Sequence, residues 1–196
     1  MKQRLLALAP VLSLTLASLP ALGAEVGQPA PDFTLQDERG AHHALAEYRG
    51  KVVVLEWTNP ECPFVQRHYA SKTMQKTLSA YAGKPVVWLV IDSSHFNTPE
   101  KSAAWKREQG FTPPVLQDAS GAVGHAYAAK TTPEMYVIDT AGVLRYAGAI
   151  DDDPRGRNAN AVNYVRQAVD ALEAGKPVPV TTSQPYGCSV KYKSNS

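Results

Sequence analysis

Cysteine is scarce in this sequence, with Cys62 and Cys188 as the only two among 196 residues. Two thiols permit one disulfide connectivity, so the sequence allows a single internal bridge but does not show whether it forms. A compartment outside the cytoplasm would permit such a bridge. Any thiol chemistry within the first 187 residues depends on Cys62 alone.

Long apolar runs are also missing, apart from the first residues of the chain. Residues 1–24 contain Lys2 and Arg4, then an apolar stretch, then small residues, which is the pattern of a secretory signal peptide. Pro10 and Pro20 interrupt the stretch, and a membrane span needs about 20 apolar residues. The sequence therefore predicts an exported protein, periplasmic or extracellular, without a membrane span in the mature chain.

An excess of charge of either sign is absent too. The 1–24 segment holds two of the 20 basic residues and none of the 18 acidic ones, so the mature chain would be balanced. This balance gives no reason to expect nucleic acid or an anionic surface as a partner. Repeats and linkers are not found either. The sequence predicts one domain over residues 25–176, followed by a tail over residues 177–196 that carries Cys188.

Strand-like and helix-like segments alternate along the predicted domain. The β-branched run at 51–57 is typical of a buried parallel strand, and prolines and Gly83 delimit a helix over 63–83. Strands are predicted at 32–37, 42–47, 51–57, 85–92, 113–118, 134–139 and 143–150, and helices at 63–83, 98–110, 121–128 and 160–175. This order predicts an α/β fold with an N-terminal hairpin and a mixed central sheet flanked by helices.

The position of Cys62, where the strand at 51–57 passes into a helix, favours a reactive thiol. A thiolate is the nucleophilic form of cysteine, and the unpaired N–H groups and dipole of a helix N-terminus stabilise it. Arg67 and His68 lie within the next two turns and would either add positive charge or form a solvated helix face. The alternative for Cys62 is a small buried apolar residue.

Three segments stand out along the predicted domain: "VGQPAPDFTLQDERG", "TTPEMYVID" and "YVIDTAGVLRYAGAID". They resemble the redoxin family, the alkyl hydroperoxide reductase and thiol-specific antioxidant group of the thioredoxin-fold superfamily, and the resemblance covers Val26 to Gly175. It implies a thioredoxin-like fold, and a thiol-disulfide oxidoreductase or a thiol peroxidase as the activity. The partners implied are a disulfide or oxidant substrate and a thiol reductant, and no cofactor is expected.

Glu56 is a carboxylate inside the apolar run that precedes Cys62. A buried carboxyl group has a raised pKa, which suits a proton acceptor for a thiol. Thioredoxins have an acidic residue at the corresponding strand position, so the resemblance implies this role for Glu56. The alternative is an acid that faces a lysine or solvent at the end of the strand.

The resemblance also implies which residues would face a substrate. In the thioredoxin fold a cis-proline faces the active cysteine, and the preceding residue offers backbone groups to a substrate strand. Thr132 and Pro133 match these two positions. Thr58 and Asn59 would supply polar groups near the sulfur, and Trp57 is either a core aromatic residue or a wall of the sulfur pocket.

The sequence departs from its family at the active cysteine. A thioredoxin has a second cysteine where this chain has Val65. Peroxiredoxins have a proline and a hydroxyl residue before their cysteine, where this chain has Leu55 and Asn59, and Pro133 occupies the position of their arginine. These departures weaken the peroxidase alternative.

A site with one cysteine needs its resolving thiol from elsewhere, and Cys188 is the candidate. Its segment "YGCSVKY" is similar to the C-terminus of a subset of exported redoxin-like proteins. The alternative is a permanent bridge that attaches the tail of a non-catalytic binding protein, since a tail of this composition is mobile unless it is tied down. A metal site is not expected, because no Cys and His pair has a ligand-like spacing.

Overall fold

The computed structural model describes residues 23–194. The strands are β1 Thr34–Gln36, β2 His42–Ala44, β3 Val52–Thr58, β4 Val86–Asp92, β5 Val115–Gln117, β6 Thr131–Thr132, β7 Glu134–Ile138, β8 Leu144–Gly148 and β9 Cys188–Ser189. The α-helices are α1 Pro63–Ala70, α2 Thr73–Ser79, α3 Pro99–Gln109, α4 Ala122–Ala126 and α5 Tyr164–Glu173.

The main sheet has the strand order β2-β1-β5-β4-β3-β7-β8. Strand β3 is parallel to β4 and antiparallel to β7, while β1 and β2 form the N-terminal hairpin. Every residue of β3 is buried, as its β-branched composition predicts for a central strand. The predicted α/β fold with a mixed sheet flanked by helices is confirmed.

Two apolar layers cover the two faces of the main sheet. Alternate side chains of β3 point to opposite faces, so Val54 packs in one layer with Tyr69 and Cys62. Leu55 and Trp57 pack in the other layer, with aromatic residues that follow α4. Cys62 and the side chains of even number in β3 therefore share one face.

The predicted helix over 63–83 is two helices in the structure. Lys72 separates α1 from α2 with φ 61°, in the left-handed region that a continuous helix does not use. The chain turns at this residue although the local sequence contains no glycine or proline. The prediction of one helix was therefore wrong, and no helix-breaking residue in the local sequence marks the turn.

The last helix also begins later than predicted. The Asn163 side chain accepts a hydrogen bond from the Arg166 N–H and caps the N-terminus of α5. Val162 thus precedes the helix, although it lies within the helix predicted over 160–175, and it is 37% exposed. Val165 and Val169 lie within α5 and are fully buried.

The predicted signal peptide falls almost entirely on residues outside the described range, so export stays a prediction, as do the domain boundaries. Within residues 23–194, no helix has the length and apolar character needed to cross a membrane.

Candidate active site

A short turn after β3 places Cys62 at the start of α1. The Asn59 side-chain oxygen accepts from the Glu61 N–H at 2.8 Å, and the Asn59 carbonyl accepts from the Cys62 N–H at 2.9 Å. Cys62 is the N-cap residue of α1, and Pro63 occupies the first helical position. Asn59 therefore shapes the turn with its side-chain oxygen and does not present that oxygen to a substrate.

The structure brings Cys188 to Cys62, although 126 positions of sequence separate them. Strand β9 pairs antiparallel with β6, so that Cys188 lies opposite Thr132. The Cys62 thiol donates a hydrogen bond to the Thr132 carbonyl at 3.0 Å, and the Thr132–Pro133 peptide bond is cis. Both cysteines are free thiols. The tail thus occupies the place beside the cis-proline where the resemblance expects a substrate strand.

The two thiols differ in acidity because their surroundings differ. Burial raises the pKa of Cys62, but hydrogen bonding from the Cys188 thiol and the Val65 N–H outweighs burial and lowers it below its ordinary value. Burial and the neighbouring Cys62 sulfur raise the pKa of Cys188 to about 11. Cys62 is therefore the thiol that ionises first.

Glu56 lies in the interior on the same face of β3 as Cys62. Burial raises the pKa of its carboxyl group to about 7, against the opposing effect of hydrogen bonds from Trp88 and Tyr69. Those bonds are 2.8 Å from Trp88 Nε1 and 3.0 Å from the Tyr69 hydroxyl. The alternative of a strand-end acid facing solvent or lysine is excluded, because the side chain is fully buried.

Glu56 is suited to exchange a proton near neutral pH. Both of its oxygens are hydrogen-bonded to Tyr69 or Trp88, so contact with Cys62 would need an intermediary. A cavity of about 10 Å³ borders Glu56, Tyr69 and Gln75, which is room for one water molecule. The Gln75 side-chain oxygen has no hydrogen-bond partner among residues 23–194 and would bind such a water.

All five residues predicted to face a substrate are buried, namely Trp57, Thr58, Asn59, Thr132 and Pro133. Trp57 has no exposed surface and donates to the Ser93 hydroxyl at 3.1 Å, on the face of the sheet away from Cys62. This placement corrects the interpretation of Trp57 as a wall of the sulfur pocket. The hydroxyls of Thr58 and Thr132 are also buried and lack a hydrogen-bond partner within the described residues. The Thr132 backbone, paired with β9, is the part that a substrate strand would use.

Arg67 and His68 contact the tail and the 151–154 segment. His68 is buried, and its Nε2 lies 3.0 Å from the Tyr186 hydroxyl. Burial lowers the pKa of His68 to about 4, although Asp151 favours the protonated form, so His68 is neutral at neutral pH. Arg67 donates to the Pro154 carbonyl at 2.5 Å. Neither expectation for His68, a charged neighbour of the sulfur or a solvated residue, describes its position.

The sequence reasoning missed Asp151 and Tyr186. Asp151 is in an acidic run that resembles a solvated turn, and Tyr186 is in a tail with few core residues. The only available signal was the position of Tyr186 two residues before Cys188. Among residues 23–194, no group of three or more His, Cys, Asp or Glu side chains is arranged to hold a metal.

The family model for AhpC/TSA proteins matches residues 26–147, which is more than half of the chain. The chain belongs to the AhpC/TSA family. This redoxin is 32% identical over 131 residues to the Mycobacterium tuberculosis protein Rv2521, whose name describes it as a peroxiredoxin. The match covers 65% of this chain and 78% of that protein. It is 30% identical over 129 residues to the thiol-disulfide oxidoreductase ResA of Geobacillus thermodenitrificans, and the match covers 61% of this chain and 67% of ResA.

Solved structures with the same fold include close matches over most of the redoxin. The Sinorhizobium meliloti protein SMc02350 superposes with a TM-score of 0.79 at 30% identity, covering 89% of this chain and 98% of that one. The thioredoxin-like superfamily protein SPOA0173 superposes with a TM-score of 0.55 at 28% identity, covering 62% and 85%. The predicted thioredoxin-like fold and family are confirmed. The named relatives include both peroxiredoxins and thiol-disulfide oxidoreductases, so thiol redox chemistry is the activity class of the family.

Proposed function

We propose that the redoxin is an exported thiol-disulfide oxidoreductase, with Cys62 as the nucleophile and Cys188 as the resolving thiol. The observation that carries the proposal is the pairing of Cys188 with Thr132, directly beside the Cys62 thiol. The position of Cys62 at the N-terminus of α1 supports the nucleophilic role. Export rests on the signal-like pattern of residues 1–24.

The proposed reaction has two exchange steps. The Cys62 thiolate attacks one sulfur of a substrate disulfide, which forms a mixed disulfide and releases the other substrate sulfur as a thiolate. The Cys188 thiolate then attacks the Cys62 sulfur, forms the internal disulfide and releases the second substrate thiol. The substrate gains two electrons and the redoxin loses two. A thiol reductant restores the two cysteines by the reverse exchange.

The difference in acidity between the thiols favours this order. Cys188 keeps its proton while Cys62 carries the charge, because the Cys62 sulfur is one cause of the raised pKa of Cys188. A mixed disulfide at Cys62 carries no charge and removes that cause. Cys188 would therefore ionise more readily once Cys62 has reacted. Glu56, with a pKa near 7, would act as the proton acceptor.

A thiol peroxidase is the second candidate, favoured by the relatives named after peroxiredoxins. Cys62 would attack a hydroperoxide to form a sulfenic acid and an alcohol, and Cys188 would condense with it and release water. Leu55, Asn59 and Pro133 stand where the family places its peroxide-activating residues, which favours disulfide exchange. Hydroperoxide consumption at the level of the Cys62→Ser protein would exclude peroxidase activity.

Trapping of the mixed disulfide tests the proposed function. The Cys188→Ser protein, treated with glutathione disulfide, is expected to retain one glutathione on Cys62, because the resolving thiol is missing. The wild type is expected to form the internal bridge under the same conditions, and Cys62→Ser is expected to form neither product. Intact-mass measurement after acid quenching distinguishes the adduct, the internal bridge and the unmodified protein. A Cys188→Ser protein that turns over disulfides at the wild-type rate and loses only stability would instead support a structural bridge.

A further inference from the structure

Tyr186 fixes the tail directly upstream of Cys188, and further upstream the Ser183 hydroxyl accepts from the Ala149 N–H at 2.9 Å. The Tyr186 hydroxyl lies 3.0 Å from His68 Nε2 and also hydrogen-bonds Asp151 Oδ1. The Tyr186 ring contacts Phe64, with ring centroids 6.1 Å apart, and Arg67 lies over the ring at 5.8 Å. We call the contact of Tyr186 with Asp151 and His68 the tyrosine clasp.

The clasp joins the two segments that carry the thiols. His68 lies on α1, the helix that begins after Cys62, while Tyr186 is two residues before Cys188. Asp151 follows β8 and approaches both, with its Oδ2 3.9 Å from His68 Nδ1. A displacement of Tyr186 from the clasp would therefore move Cys188 relative to Cys62.

The chain between the clasp and Cys188 has little freedom. Gly187 packs against the Thr132 carbonyl, and a Cβ atom at this position would lie 2.1 Å from that oxygen. Downstream, Val190 N–H donates to the Lys130 carbonyl at 3.1 Å, and the Tyr192 hydroxyl donates to the Ala129 carbonyl at 2.8 Å. The Cys188 thiol thus lies between two anchors, and the clasp is the one that contacts α1.

We propose that Tyr186 is a positioning residue, which the contacts with Asp151 and His68 hold in place so that the Cys188 thiol is presented to Cys62. The inference rests on the proposed resolving role of Cys188. Bringing two thiols together raises their effective concentration, which sets the equilibrium constant for closing the internal disulfide. The clasp would therefore tune how oxidising the redoxin is, without any contact with the substrate.

The test compares this equilibrium constant among variants. The full-length protein is equilibrated with graded ratios of reduced to oxidised glutathione, the free thiols are alkylated, and the bridged fraction is measured by mass. Bridge formation oxidises the two cysteine thiols and reduces one glutathione disulfide to two glutathione thiols. Tyr186→Phe keeps the ring contacts and removes the hydroxyl, and Asp151→Asn weakens its acceptor. Tyr81→Phe is the matched control, because it removes a tyrosine hydrogen bond to Asp170 that does not contact the tail.

We expect both clasp variants to lower the equilibrium constant about tenfold, which makes the reduction potential about 30 mV less negative. The control is expected to stay within twofold of the wild type. The reduced clasp variants are expected to unfold at the same urea concentration as the control, which separates positioning from a general loss of structure. Wild-type constants in both clasp variants would overturn the inference alone. A wild type that forms no bridge at any glutathione ratio would overturn the resolving role and the inference together.

Discussion

At the scale of single residues, Glu56 is a carboxyl group with a predictable effect on stability. Its pKa is about 7 in the folded protein because burial disfavours the charged form, against an ordinary value of 4.5. The folded state therefore binds more protons than the unfolded state between these two values, and stability falls as pH rises through that window. The shift corresponds to a loss of about 3 kcal/mol.

Glu56→Gln is expected to remove this pH dependence, since the amide does not ionise. The free energy of unfolding of the wild type, measured relative to that of the variant, should fall by about 3 kcal/mol between pH 4 and pH 8. Urea denaturation of both proteins at several pH values measures the difference, and contributions common to both, such as that of Asp92, cancel. A constant difference across this range would show that Glu56 does not have a raised pKa.

At the scale of elements, the pairing of β6 with β9 depends on a glycine. Gly187 has φ 152°, a region that favours glycine, and a Cβ there would collide with the Thr132 carbonyl. Gly187→Ala is expected to displace β9 and to slow internal disulfide formation at least tenfold, as measured by quenched oxidation with glutathione disulfide.

Gly175→Ala is the matched control for this prediction. Gly175 also has a positive φ, of 64°, but no atom lies within 4 Å of a Cβ at that position. The control should lose about 1 to 2 kcal/mol of stability from backbone strain and keep the wild-type oxidation rate. Equal oxidation rates in the two alanine variants would contradict the role assigned to the β6–β9 pairing.

The sequence predicted those strands and helices that are determined by residues close together in the chain. The β-branched residues of β3 predicted a buried strand, and the strand predicted over 85–92 and the helix predicted over 98–110 match β4 and α3. The turn at Lys72 was not predictable, because no residue there favours a left-handed backbone. The tyrosine clasp was not predictable either, since its contacts join residues 35 and 118 positions apart.

At the scale of the whole molecule, the internal disulfide would link residues more than a hundred positions apart. Closing a loop of this length reduces the conformational entropy of the unfolded chain, which stabilises the fold by roughly 4 to 5 kcal/mol. We expect the oxidised wild type to exceed the reduced wild type in free energy of unfolding by up to this amount. Urea denaturation of both forms measures it, with Cys188→Ser as the control that should show no difference between the two conditions.

A difference in free energy of unfolding well below this value would mean that closing the bridge distorts the folded protein. A difference equal to this value would mean that the tail already lies where the oxidised form needs it. Equal free energies of unfolding in the two forms would contradict the expectation that the disulfide stabilises the folded protein. The comparison measures the stabilising effect of the bridge alone. A resolving Cys188 and a purely structural Cys188 would close the same loop, and they differ only in the activity that they predict.

The tail also pairs with β6 in a two-stranded sheet that is separate from the main sheet. The pairing of Cys188 and Ser189 with Thr131 and Thr132 satisfies backbone groups that would otherwise be open to a strand from another molecule. A substrate that docks as a strand at this edge must first displace the tail, which leaves a free β-strand carrying a thiol. Docking of a substrate strand and closure of the internal disulfide would therefore compete for the same backbone groups of Thr131 and Thr132.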